Sequence, residues 1–77
     1  MKKYNIQVVV EQDEDGVLTA ECPALQGCYA QGDTYEEAIE NIKDVIVMCI
    51  KELKEDKKTI NLNYPEVIRI ENLEVAV

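Results

Sequence analysis

Residues 31–53 read QGDTYEEAIENIKDVIVMCIKEL, and this stretch decides the fold. Gly32-Asp33 breaks the preceding segment, and Thr34 can cap free helix amides while Glu37, three residues on, reaches back toward it. Asp33 with Glu36 is a competing cap one residue earlier. Beyond the cap, Tyr35, Ala38, Ile39, Ile42, Ile46, Cys49, Ile50 and Leu53 recur at spacings of three and four, which traces one apolar stripe along a helix. Glu36, Glu37 and Glu40 at its start, and Lys51, Lys54, Lys57 and Lys58 toward its end, complement the helix dipole. A long helix with a single apolar stripe needs a sheet to cover.

The flanking segments supply one. Tyr4, Ile6, Val8 and Val10 alternate with Asn5, Gln7 and Val9, the period of a strand with one buried face. Asp13-Glu14-Asp15-Gly16 tolerates turn geometry, and Val17 to Glu21 alternates again, so the two segments form a hairpin. Cys22-Pro23-Ala24-Leu25-Gln26-Gly27 is a connecting loop, because Pro23 has no amide hydrogen to donate to a ladder. Cys28 to Gln31 is a brief third strand ended by Gly32. Downstream, a polar stretch from Glu55 to Asn63 and a bend at Tyr64-Pro65 lead to Val67-Ile68-Arg69-Ile70, a fourth strand that Leu73, Val75 and Val77 extend or loosely edge.

The expected architecture is α+β, β-β-β-α-β, with one long helix packed on one face of a four-stranded sheet. A right-handed crossover through the helix lays strand four beside strand one, giving the order 3-2-1-4. The uncovered face then carries Asn5, Gln7, Val9, Val17, Thr19 and Glu21. With no repeat or flexible linker, residues 1–77 are expected to make one domain.

Composition narrows the function. Hydrophobic residues are 47% of the chain and charged residues 31%, the balance of a folded protein rather than a disordered one. The net charge of −8 repels phosphate backbones and no basic cluster offers an exception, so direct nucleic-acid binding is not expected. The acidity serves solubility or attraction to a basic protein. No continuous apolar stretch follows Met1-Lys2-Lys3, so no leader or membrane span is read and a cytoplasmic location is expected. A core this small makes self-association, as a dimer, the default.

Catalytic readings find little support. The chain has no histidine and no serine, which removes His-based general bases and serine nucleophiles. Asp13, Glu14 and Asp15 invite a metal reading, but aligning Gly16 with the glycine of a calcium loop leaves Cys22 where the bidentate Glu belongs. Cys22, Cys28 and Cys49 are read as reduced thiols in core or loop, since no CxxC spacing supports zinc. No cofactor is expected. Val47 and Met48 lie off the apolar stripe beside Glu40 and Asp44, and the four are a candidate partner interface, with Met48 at the core edge as the plainer alternative.

The ordered set Asp13-Glu14-Asp15-Gly16, Cys22-Pro23-Ala24-Leu25-Gln26-Gly27-Cys28 and Gln31-Gly32-Asp33-Thr34-Tyr35-Glu36-Glu37-Ala38 resembles the HicB family of antitoxins. The resemblance makes Gly16, Cys22, Pro23, Leu25, Gly27, Cys28, Gly32, Asp33, Thr34, Glu37 and Ala38 architectural, and implies a partial RNase H-like fold. It further implies a non-catalytic antitoxin that holds a small basic HicA-like ribonuclease toxin and masks its active surface. A short form without a DNA-binding segment is the expectation, since only about two dozen residues follow the helix. The alternative is a stand-alone homo-oligomeric scaffold or small-ligand module that has lost its toxin.

Overall fold

The computed structural model of the chain describes residues 3–77. Met1 and Lys2, where the reading of a leaderless N-terminus begins, lie outside the described residues. Three strands, β1 (Val9–Gln12), β2 (Leu18–Glu21) and β3 (Tyr29–Gly32), precede one helix, α1 (Tyr35–Glu55). The sheet is antiparallel in the order β1-β2-β3.

Register follows from the turns. Val10 faces Ala20, which faces Ala30, and these three share the side that meets the helix. In the β1–β2 turn the Asp13 carboxylate accepts from the amides of Asp15 and Val17, both at 2.9 Å. Gly16 has φ +86°, a value that side chains resist, and its amide closes on the Asp13 carbonyl at 3.1 Å. Asp13 thereby serves the turn.

The first strand is shorter and later than the alternation at Tyr4–Val10 suggests. Val9 pairs with Glu21, the last residue of β2, and β2 then runs into Cys22-Pro23. β2 therefore does not continue opposite residues 5–8. Residues 4–8 stay outside the strands, while Tyr4, Ile6 and Val8 still pack against the core. Alternation selected the buried face correctly and the strand limits incorrectly.

The loop from Cys22 to Cys28 closes on itself through Cys22 N–H to the Cys28 carbonyl at 2.9 Å, and Leu25 turns inward beneath it. At the end of β3, Gly32 meets the helix so closely that a Cβ there would stand 2.4 Å from the Ala38 amide nitrogen. Only glycine allows that approach. Thr34 takes the N-cap, its hydroxyl accepting from the Glu37 amide at 3.1 Å, which decides between the two candidate caps. Such a cap contributes about 1 kcal/mol. Asn41 adds a staple, its side-chain amide donating to the Gln31 carbonyl at 2.8 Å.

Ala38, Ile42, Ile46 and Ile50 are buried along α1 and join Ala20, Cys22, Leu25 and Cys28 in the core. Tyr35, placed on the stripe by spacing, is 57% exposed: as the first helical residue its Cβ points back beyond the helix start. The helix stops at Asp56 by a Schellman arrangement. Lys58 N–H reaches the Leu53 carbonyl at 3.0 Å, Lys57 N–H the Lys54 carbonyl at 3.1 Å, and Lys57 has φ 55°.

The fourth strand is not formed. No strand occurs in residues 56–77, and the sheet has three strands in place of the order 3-2-1-4. Ile60 and Leu62 still pack on the core, and Val67 N–H donates to the Gln7 side-chain oxygen at 3.1 Å. Beyond that bond the chain departs, with Ile68, Ile70, Leu73, Val75 and Val77 all more than two-thirds exposed. A lone strand gains stability only by pairing and by burying a face, and this segment does neither.

Candidate functional site

Two surfaces and one buried cluster carry the chemistry available. The first is the solvent side of α1. Glu40, Asp44, Val47 and Met48 are all exposed there, at spacings that place Asp44 one turn from both Glu40 and Met48. Met48 is 66% exposed and Val47 45%, so Met48 does not thicken the core edge. Glu36 and Glu37 in the first turn extend the same region with negative charge.

The second is the sheet face turned away from the helix. Register places Val9, Glu21 and Tyr29 side by side there, with Glu11, Thr19 and Gln31 in the next row. Tyr29 is 62% exposed and lies opposite Glu21 in the ladder. Sequence reasoning assigned Val9, Thr19 and Glu21 to this face but missed Tyr29. Its period-two relation to Gln31 was the available signal, and the one-residue shift in β3 hid it.

The buried cluster contains Cys22 and Cys28, both 1% exposed, with Cys49 partly buried beside them. Burial pushes the Cys28 thiol up to about 12, helped by its Cys49 and Cys22 neighbours. A thiol so held is neutral and a poor nucleophile. All three cysteines are free, and among the described residues no group of three or more His, Cys, Asp or Glu side chains could hold a metal ion.

Four of the motif residues, Cys22, Leu25, Cys28 and Ala38, lie in the core with that cluster. Cys22, Leu25, Cys28, Gly32 and Ala38 are buried, Pro23 is half-buried, and Thr34 and Glu37 cap the helix above them. Gly16 and Gly27 hold turns at positive φ, and Asp33 is exposed just before the cap. Among the described residues no helix is long and apolar enough to cross a membrane.

Residues 5–75 match the family described as "HicB_like antitoxin of bacterial toxin-antitoxin system". The chain belongs to this HicB-like antitoxin family. Among curated relatives, a UPF0150 protein of Synechocystis sp. is 43% identical over 70% of this chain and 78% of its own length. A UPF0150 protein of Thermoplasma acidophilum is 40% identical over 82% of this chain and 91% of its own length. A third, of Helicobacter pylori, is 44% identical over 68% of this chain and 71% of its own. No solved structure matches the chain. The motifs from Asp13 to Ala38, which form the turn, loop and cap described above, fall inside the matched residues.

Proposed function

We propose that this HicB-like chain is a non-catalytic binding domain that neutralises a small basic HicA-like ribonuclease toxin by covering its active surface. The observation that carries the reading is the pairing of family membership with two exposed acidic surfaces, Glu36 to Asp44 on the helix and Glu11 with Glu21 on the sheet. In a chain of net charge −8 these surfaces speed encounter with a basic partner and set its orientation. Glu40, Asp44, Val47 and Met48 form the contact with the toxin: two carboxylates beside an adaptable apolar pair. The chain acts as one cytoplasmic domain, makes no direct contact with nucleic acid, and associates as a homodimer. Its sheet and single helix form a partial RNase H-like unit, with strand four completing the order 3-2-1-4 in the assembled protein.

The test is growth rescue. A host expressing an adjacent small basic reading frame recovers when this protein is co-expressed, the two co-purify, and Asp44→Lys with Met48→Glu abolishes both effects. Toxicity without rescue overturns the reading. A second reading, a stand-alone homo-oligomeric scaffold, draws on the exposed apolar residues after Val67. It predicts self-association with no toxic neighbour to neutralise.

A further inference from the structure

Two features of the tail and one of the body do not fit a finished monomer. Ile68, Ile70, Leu73, Val75 and Val77 are 71–121% exposed, a run of large apolar side chains left in water. The tail also stretches the molecule, whose Cα radius of gyration is 14.6 Å and longest extent 47 Å. A compact chain of this length has a radius of gyration of about 11–12 Å. Meanwhile an apolar groove of about 420 Å³ runs between residues 4–8 and the helix, walled by Tyr4, Ile6, Val8, Ile39, Ile46 and Val47. The chain's own tail leaves that groove open.

The groove lies beside an open edge. β1 is one of the two edge strands, so among the described residues Val9–Gln12 have no strand on their outer side. Charge identifies what lies along it. The groove's charged lining residue is Lys43, and Lys54 stands over the Tyr4 ring at 5.6 Å. The segment from Glu66 onward carries Glu66, Glu71 and Glu74 against a single cation, Arg69. In an acidic molecule a locally basic apolar groove and an acidic apolar strand are complementary.

We infer that residues 67–77 are an exchange strand: in a two-fold dimer each copy's tail lies along residues 4–10 of the other copy. Leu73, Val75 and Val77, which share a side at period two, enter the groove, and Glu71 approaches Lys43 and Lys54. The Val67 to Gln7 hydrogen bond marks where the tail leaves its own body. Reciprocal exchange makes the contact isologous and closed, so two grooves and two edges are satisfied at once. This assignment rests on the homodimer reading and not on toxin binding.

The experiment is light scattering on the full chain with isotope-filtered methyl NOEs on a mixed-label sample. The wild type is expected at twice 8.8 kDa, with intermolecular contacts from Leu73 and Val75 methyls to Val47 and Ile39. Leu73→Asp with Val75→Asp gives the monomer mass with unchanged helix content, because both side chains are exposed in the single chain. Val47→Glu, at the groove wall, does the same from the other side. A monomeric wild type overturns the dimer and the exchange together. A dimer that survives both variants, or tail contacts that are only intramolecular, overturns the exchange strand and leaves dimerisation standing.

Discussion

The segment from Val9 to Glu55 and the segment from Asp56 to Val77 have comparable apolar content, yet the first makes a core and the second does not. Ile42 is 1% exposed and Ile68 is 89% exposed. The difference lies in the local devices that fix geometry. The first segment has a carboxylate-bridged turn at Asp13, a self-closed loop at Cys22–Cys28, a side-chain-free contact at Gly32 and a cap at Thr34. Among the described residues, the second has a short Asn61 turn, an ion pair between Arg69 and Glu71, and a long-range bond from Val67 to Gln7. An exposed ion pair of that kind contributes little, about 0–1 kcal/mol. Apolar residues fold where something local aims them.

The sharpest way to break this contrast is to remove the same atoms from both segments. Ile42→Ala is expected to cost about 2–5 kcal/mol in urea unfolding, since the side chain is buried between helix and sheet. Ile68→Ala, measured where the protein is monomeric, is expected to change stability by less than about 0.5 kcal/mol. Equal costs would mean that the tail is as well packed as the helix and the contrast is false.

The same contrast explains what was legible in the sequence. The helix, its cap and the loop were readable because each is written in neighbouring residues: Thr34 and Glu37, Cys22 and Cys28, the three-and-four spacing of the isoleucines. The limits of β1 were not, because they depend on where β2 stops, at Glu21 just before Cys22-Pro23, well beyond the predicted end of the first strand at Val10. The fourth strand is absent from the sheet of the single chain for a related reason. Val67 to Ile70 has strand composition, but pairing is a property of a partner that the segment itself does not specify. Of the candidate interface, exposure of Glu40, Asp44, Val47 and Met48 was legible from helical periodicity. The groove was not, since it arises between two elements far apart in the chain.

A smaller effect sharpens the account of the ordered segment by titrating its interior. Cys28 ionises near 9.0 when unfolded and near 12 when folded. Below pH 9 both states keep the proton and the thiol leaves stability unchanged with pH. Between those values the unfolded chain releases the proton while the native one retains it, so stability falls as pH rises. Urea midpoints collected from about pH 8 to about pH 11, across the onset of thiol ionisation in the unfolded chain, are expected to drop more steeply for the wild type than for Cys28→Ala. Parallel declines would mean that the cluster is wetter than its burial indicates.

The smallest effect lies at the boundary between the two segments and has the opposite sign. Lys57 closes the helix in a left-handed conformation, φ 55°, where a side chain crowds the backbone and glycine does not. The Lys58 and Lys57 amides already satisfy the carbonyls of Leu53 and Lys54, so the termination geometry does not depend on the lysine side chain. Lys57→Gly relieves the crowding but gives the unfolded chain more freedom, and the first term is the larger. The net gain is expected to be about 0.5–1 kcal/mol in urea unfolding, with helix content unchanged. If the substitution instead destabilises the chain, Lys57 holds the end of the helix through its side chain, and the ordered segment extends past Asp56 into the region assigned to the tail.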